Sequence, residues 1–230
     1  IGLIAYRHST GKDLEKYEAS FFDVFDTQTQ IIGYASSKEQ FSEQMSLIKD
    51  KFQYYNDLYD IYHDYEGMNN IKTINDNAGI QPVKVDEEII ELLKLGITMD
   101  EKTDGNMNIA MGSVLSIWHD YREAGSEDPY SAELPPMDEL ERAAEHTDIH
   151  NIVIDEEAST VYLTDPDMSL DVGSIGKGYA VQKVAEYAKN ELGIQYMLFS
   201  VGGNVCAIGG HPDGSAWAVG IQNPDVESDQ

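Results

Sequence analysis

Apolar side chains recur every three or four positions in several stretches of the chain, which is the spacing of a helix with one buried face. The longest stretch predicts a helix over residues 38–63, and Ser37 followed by Gln40 matches a capping box at its start. The same spacing predicts four more helices: residues 85–98, a segment that follows residues 103–108 and ends near Arg122, residues 137–146, and a segment that follows the glycines of residues 173–178 and ends at Gly193.

Short apolar or alternating runs predict strands between these helices. They are an extended segment over residues 21–34, a hairpin over 152–154 and 160–163, and shorter strands over 168–172, 196–201, 205–208 and 216–221. Residues 1–20 are polar and indicate a lead-in, whereas residues 64–84 and 124–136 carry residues typical of turns and loops. Helices mixed with antiparallel strands indicate an α+β fold, with mixed, mostly antiparallel sheets and packed helices.

The net charge narrows the range of partners. The 230 residues carry a formal net charge of −27, which argues against nucleic acid, because a phosphate backbone is bound mainly through Lys and Arg. It argues equally against direct binding to an anionic membrane surface. No apolar run reaches the roughly 18 residues that a membrane-spanning helix needs, so we expect no span in this chain. Cys206 is the only cysteine, and no internal disulfide can form.

The stretch with the clearest chemistry is a strand, a glycine-rich turn and a helix over residues 170–192. Such a turn exposes backbone N–H groups at a helix N-terminus, where the helix dipole favours an anion. The three glycines of residues 173–178 leave room for a phosphate, and Lys177 can add a positive charge. The pattern also fits a tight turn with a solvated lysine. Asp171, beside the turn, could hold a metal, accept from a ligand N–H, or cap the helix.

Residues 170–180, Leu-Asp-Val-Gly-Ser-Ile-Gly-Lys-Gly-Tyr-Ala, resemble the signature of the FAD:protein FMN transferases, the ApbE family. Further stretches agree in order and spacing from about residue 21 to residue 224. They are Phe25-Asp26-Thr27, Tyr65 with Asn75 ten residues later, residues 103–108, residues 200–204 and residues 217–224. The resemblance implies an ApbE-like, T-fold-like flavin transferase domain over residues 21–230.

This resemblance implies a reaction on FAD. FAD is split at its pyrophosphate with Mg²⁺, FMN is joined by a phosphoester to a Thr or Ser of an acceptor protein, and AMP leaves. By position match, Asp171 and Lys177 are FAD contacts and Ser174 is a Mg²⁺ ligand. The residues implied to line the flavin and adenine pocket are Phe25, Tyr65, Asn106, Met107 and Asn108. The resemblance identifies no catalytic residue in this chain.

Departures from the family pattern leave other functions open. Asn106-Met107-Asn108 stands where the family has Ala-Phe-Asp, and Phe25 replaces a methionine. We expect the family's later segment, in which acidic residues and a Thr complete the Mg²⁺ site, to be missing, so that the domain is C-terminally incomplete. The alternative functions are a FAD pyrophosphatase, which releases FMN and AMP, and a FAD-binding protein without turnover.

The resemblance also implies a location. Members of the family are commonly exported and lipid-anchored, and this chain lacks a starting Met, as it would after removal of a signal peptide. We therefore expect the full-length protein to be extracytoplasmic and lipid-anchored to the cell membrane.

Overall fold

Two compact units make up the structure, a computed structural model that describes residues 14–221. The first unit contains the described residues up to Lys51 and those from Val181 onward, and the second contains Phe52–Ala180. In chain order, the elements are β1 (Glu15–Val24), β2 (Thr27–Ala35), α1 (Lys38–Tyr59), α2 (Ile71–Asp76), β3 (Val83–Lys84), α3 (Glu87–Lys102), α4 (Gly112–Glu127), α5 (Met137–Ala144), β4 (Ile152–Asp155), β5 (Thr160–Leu163), α6 (Gly176–Asn190), β6 (Met197–Val201) and β7 (Asn204–Ile208). A 3₁₀ turn at Ile149–Asn151 precedes β4.

The first unit is built around a four-stranded antiparallel sheet with the strand order β1-β2-β6-β7. Ile31 of β2 lies opposite Phe199 of β6, and both side chains are 0% exposed. β6 turns into β7 at Gly202, which has a φ of +51°, and a Cβ there would lie 2.5 Å from Thr27 Oγ1. Both the backbone conformation and the available space therefore require glycine in this predicted turn.

Two predictions for this unit are wrong. Residues 15–20 belong to β1 and not to the lead-in predicted over residues 1–20, because β1 is an edge strand and most of its side chains are exposed and polar. Residues 216–221 form no strand, since they pair with no other segment of the described chain. Residues 1–13, and residues 222–224 of the last matching stretch, lie outside the described residues.

Helices and a three-stranded antiparallel sheet of order β3-β5-β4 enclose the apolar core of the second unit. α3 supplies Ile89, Leu92 and Leu93 to this core, and each is 0% exposed, as helical spacing of apolar residues predicts. The predicted hairpin is confirmed as β4 and β5. Among residues 14–221, no helix is long and apolar enough to cross a membrane.

The first predicted helix is shorter than its apolar spacing indicates. α1 ends at Tyr59 and not at residue 63. The reason is Asp60, whose Oδ1 accepts hydrogen bonds from the N–H groups of Tyr62 at 2.6 Å and His63 at 3.3 Å. These bonds turn the chain where helical hydrogen bonds would otherwise continue.

Two further helices differ from their predictions. Residues 64–84 are not wholly irregular, because Asn70 and Thr73 form a reciprocal capping box that begins α2. α4 continues past the predicted end at Arg122 as far as Glu127. The helix continues through Gly125, because a single glycine within a helix costs only about 1 kcal/mol. The loop predicted over residues 124–136 is correspondingly shorter.

Candidate functional site

A side chain, and not a neighbouring strand, fixes the segment that leads into the glycine turn. Residues 168–172, predicted as a strand, belong to no sheet. Asn75 takes the place of a strand neighbour, since its Oδ1 accepts from Leu170 N–H at 2.8 Å and its Nδ2 donates to Leu170 O at 3.0 Å. The N–H of Asp171 then donates to Ile109 O at 2.9 Å. These three bonds hold the backbone of Asp171 in place.

Asp171 stabilises the glycine turn with one of its two carboxylate oxygens. Its Oδ1 accepts from Gly173 N–H at 2.8 Å. The Val172 carbonyl accepts from the N–H groups of Ile175 and Gly176, where α6 begins. Asp171 Oδ2 makes no hydrogen bond with any residue of the described chain. Asp171 therefore caps the turn, and one oxygen is left to accept from a ligand.

Three backbone N–H groups and one amine remain available around this turn. The N–H groups of Ser174, Lys177 and Gly178 donate to no acceptor within residues 14–221, as is usual at the start of a helix. The Lys177 side chain is half-buried and has no hydrogen-bond or ion-pair partner there either. Unpaired N–H groups and a positive charge at a helix N-terminus favour binding of an anion such as phosphate.

The backbone conformation of this turn does not require its glycines. None of Gly173, Gly176 and Gly178 has a positive φ. A Cβ on Gly176 would make only ordinary contacts, the nearest at 3.5 Å from Tyr59 Cδ2. Gly173 and Gly178 are exposed, and their lack of a side chain leaves an open backbone surface, which a phosphate needs in order to reach the N–H groups.

A cavity of about 530 Å³ lies beside Asp171 in the second unit. Aromatic and aliphatic side chains dominate its walls, and charged groups of both signs also line it. Besides Asp171, the lining residues include Tyr62, Trp118, His119, Arg122, Glu133 and Leu134. Small-molecule sites commonly have this size and combine apolar walls with a few polar groups.

Sequence reasoning missed most of this cavity. Tyr62 fits the apolar stripe of the first predicted helix, and His119 and Arg122 fall inside a helix to which no chemistry was assigned. The available signal was the spacing of His119, Arg122 and Glu123, which places three polar groups on one helix face. Burial raises the pKa of Tyr62, and the negative charge of Asp171 raises it further, so Tyr62 lines the cavity as a neutral phenol.

Tyr65 lies in a different cavity, of about 660 Å³, together with Tyr54 and Lys84. Its hydroxyl donates to Asp60 Oδ2 at 2.7 Å, and burial together with this carboxylate raises its pKa. The structure therefore does not bring Tyr65 to the cavity that Asp171 lines. Tyr62, three residues earlier, lines that cavity, together with Tyr121.

The residues of the Asn-Met-Asn trio line neither of these two cavities. Asn106 Nδ2 donates to Thr103 O at 2.6 Å, and Met107 N–H donates to Thr103 Oγ1 at 3.0 Å. Asn108 accepts from Ala110 N–H at 2.7 Å and so orders the backbone next to the Ile109 carbonyl that holds Asp171. Their role as pocket residues stays a prediction.

Phe25 belongs to the first unit, where it lies in the turn between β1 and β2 with a φ of 53°. Asp26 beside it has a φ of 48°, so the matching Phe25-Asp26-Thr27 stretch forms a tight left-handed turn. The predicted contact of Phe25 with FAD stays a prediction.

The described residues supply little of a Mg²⁺ site. Ser174 is exposed and offers one neutral hydroxyl oxygen, whereas Mg²⁺ takes about six oxygen ligands in octahedral geometry. Within residues 14–221, the cluster of potential metal ligands is His146, Asp165 and Asp167, and none of these is a predicted site residue. Ser174 and its neighbours therefore do not form a complete Mg²⁺ site by themselves.

An α+β fold with an anion-binding helix start and an aromatic-walled cavity is typical of proteins that bind nucleotide-like ligands. The chain belongs to the ApbE family, whose family model matches residues 25–230. The family prediction is thereby confirmed.

Curated relatives carry the name FAD:protein FMN transferase. The Escherichia coli K12 protein is 26% identical over 180 residues, which cover 77% of this chain and 50% of that protein. The Treponema pallidum protein is 29% identical over 167 residues, covering 67% of this chain and 44% of that protein. The chain thus spans about half the length of these relatives.

Solved structures confirm the α+β fold. The ApbE protein of Thermotoga maritima superposes with a TM-score of 0.75 at 25% identity and covers 92% of this chain, which covers 64% of that protein. The flavin transferase ApbE of Vibrio cholerae superposes with a TM-score of 0.74 at 20% identity and covers 92% of this chain, which covers 65% of that protein.

Proposed function

We propose that the protein transfers FMN from FAD to a Thr or Ser hydroxyl of an acceptor protein, through a flavin transferase domain over residues 21–230. The observation that carries the proposal is the position of Asp171. Backbone hydrogen bonds fix this residue, which lies next to the start of α6 on one side and lines the aromatic-walled cavity on the other. A dinucleotide needs both kinds of surface, one for its pyrophosphate and one for a ring. The names of the curated relatives support FAD as that dinucleotide.

In this proposal, the start of α6 holds the pyrophosphate. Lys177 and the unpaired N–H groups of Ser174 and Gly178 stabilise its negative charge, and phosphoryl transfer depends mainly on such positioning and charge neutralisation. The acceptor oxygen bonds to the FMN-side phosphorus, the bond from this phosphorus to the bridging oxygen breaks, and AMP leaves with that oxygen. The hydroxyl proton is released.

Mg²⁺ would add further charge neutralisation at the pyrophosphate when bound, with Ser174 as one proposed ligand. We also propose, on the family resemblance, that the full-length protein is extracytoplasmic and lipid-anchored. Membrane fractionation of cells that produce it tests the location.

Incubation of the full-length protein with FAD, Mg²⁺ and an acceptor domain should attach FMN covalently to a Thr or Ser of that domain and release AMP. Mass spectrometry of the acceptor and chromatography of the nucleotides measure both products. An acceptor with Val in place of that Thr is the matched control, and EDTA should stop the reaction. Free FMN and AMP without labelling would indicate a pyrophosphatase, and tight FAD binding without AMP would exclude both enzymes.

Lys177→Ala should weaken FAD binding by about 1.5–3 kcal/mol, the usual size of a hydrogen bond to a charged group. The amine has no partner in the described chain, so its removal should leave stability nearly unchanged. Lys189→Ala, an exposed lysine in the last turn of the same helix, is the matched control. Titration calorimetry with FAD measures both variants, and equal affinity would place Lys177 outside the site.

A further inference from the structure

Arg122 and His119 form an ordered pair on the wall of the cavity beside Asp171. Arg122 Nη2 lies 2.6 Å from His119 Nδ1, and a guanidinium can only donate. Nδ1 must therefore accept, so the ring proton is on Nε2, which lies 2.9 Å from Glu123 Oε1. In this arrangement His119 receives a hydrogen bond from Arg122 at Nδ1 and donates one from Nε2 to Glu123.

This arrangement leaves Arg122 with donors that the described chain does not use. The guanidinium has five N–H donors in a planar fork, and within residues 14–221 it makes one hydrogen bond, to His119. The imidazole is itself held by the ring of Tyr62, which stacks on it with centroids 5.2 Å apart and planes 30° apart. Arg122 therefore has a fixed orientation at the cavity wall and N–H donors that remain available to a ligand.

The charges around the cavity favour a ring over a phosphate. Asp171 and Glu133 contribute two carboxylates, and Arg122 contributes the cation. The two carboxylates outnumber the one guanidinium, so these groups together are negative and would repel a phosphate. A guanidinium donor and a carboxylate acceptor between aromatic walls instead complement a flat heterocycle that carries both an N–H group and an acceptor atom.

We propose that Arg122 is a ligand-binding residue that donates to an acceptor atom of a heteroaromatic ring of FAD, and that His119 is its positioning residue. The inference rests on the proposed function, since FAD supplies the ring. Both adenine and isoalloxazine carry the required N–H and acceptor atoms. AMP and FMN each contain one ring and one phosphate, so comparison of the two identifies the ring that is bound.

The test is the affinity of the wild type and of Arg122→Gln for FAD, FMN and AMP, measured by titration calorimetry. We expect about 10- to 100-fold weaker FAD binding, the size expected for one charge-assisted hydrogen bond. The loss should appear with FMN or with AMP but not with both. Arg142→Gln removes a guanidinium that is 72% exposed on α5 and should change nothing.

Each other outcome has a definite meaning. Equal weakening for FMN and AMP would show a phosphate contact, and unchanged affinities would place Arg122 outside the site, so either result overturns the inference. If the wild type bound no FAD, the proposed function would fail. The role of Arg122 could then still be tested by comparing the affinities of the wild type and Arg122→Gln for FMN and AMP. Thermal melting of each variant verifies that it is folded.

His119 can be separated from a merely structural residue. His119→Leu removes the acceptor for Arg122. It should lower the affinity for the same nucleotide, FMN or AMP, that Arg122→Gln affects, and the double variant should lose no further affinity. His119→Gln keeps an acceptor oxygen and should restore most of the affinity. Additive losses, or a loss that affects FMN and AMP alike, would contradict a positioning role.

Discussion

Replacement of Asn75 with Ala is expected to lower the free energy of unfolding by about 2–6 kcal/mol, because it leaves two buried backbone groups without partners at roughly 1–3 kcal/mol each. Asn75 bonds to both the N–H and the carbonyl of Leu170, and Leu170 is 0% exposed. No strand of the described chain pairs with residues 168–172, so no ladder can take over these bonds. Urea denaturation followed by circular dichroism measures the effect.

The same change should also reduce FAD binding, because Asp171 follows directly on the residue that Asn75 holds. Asn69→Ala is the matched control, since Asn69 is exposed and donates a single hydrogen bond, to Lys84 O at 2.8 Å. We expect it to cost less than about 1 kcal/mol, the usual net value of one such bond. A loss of stability at Asn75 no larger than at Asn69 would show that Leu170 finds other partners.

Asn75 also shows how far the sequence predicts the fold. Its spacing from Tyr65 marks it as part of a family motif, but its partner Leu170 lies 95 residues away. A contact between residues so far apart leaves no local pattern in the sequence. The sequence therefore predicts an ordinary strand for residues 168–172, the segment that Asn75 supports. The prediction of the β4 and β5 hairpin rests on a local pattern and agrees with the structure. α6 ends at Asn190, before its predicted end at Gly193.

The candidate site likewise has one part that local sequence predicts and one part that depends on contacts between distant segments. The chemistry of the turn before α6 is local, and its glycines, Lys177 and Asp171 are recognisable as a group. The cavity wall is not local, because α4 and the segment after α1 meet at Asp171 only in the folded chain. Tyr62 and Tyr65 illustrate what sequence alone cannot predict. Motif spacing favours Tyr65, whereas the turn at Asp60, where α1 ends, determines which of these two tyrosines lines this cavity.

Gly112→Ala is expected to destabilise the protein by about 2–3 kcal/mol, as overpacking of a close contact commonly does. A Cβ on Gly112 would lie 2.5 Å from the carbonyl oxygen of Ser169 and 2.7 Å from its carbonyl carbon. These are backbone atoms, so a side chain cannot simply rotate away. The N–H of Gly112 also donates to the same oxygen at 3.0 Å, and the forced shift would lengthen that bond.

Gly125→Ala is the matched control within the same helix. Its Cβ would lie 3.1 Å from Ala132 Cβ, and Ala132 is in an exposed loop that can move. Alanine is the better helix former by about 1 kcal/mol, so this variant should be as stable as the wild type or more stable. Equal destabilisation of both variants in thermal melts would show that the cost arises from α4 in general and not from Ser169.

Gly112 should affect ligand binding as well as stability, because it is where α4 meets the segment before Asp171. α4 carries His119 and Arg122, and Ser169 lies two residues before Asp171. A Cβ at residue 112 must push these two walls of the cavity apart, and a hydrogen bond between a ligand and either wall weakens steeply with distance. Folded Gly112→Ala protein should therefore bind FAD more weakly than the wild type, and equal affinities in calorimetry would show that Arg122 and Asp171 do not contact the same ligand.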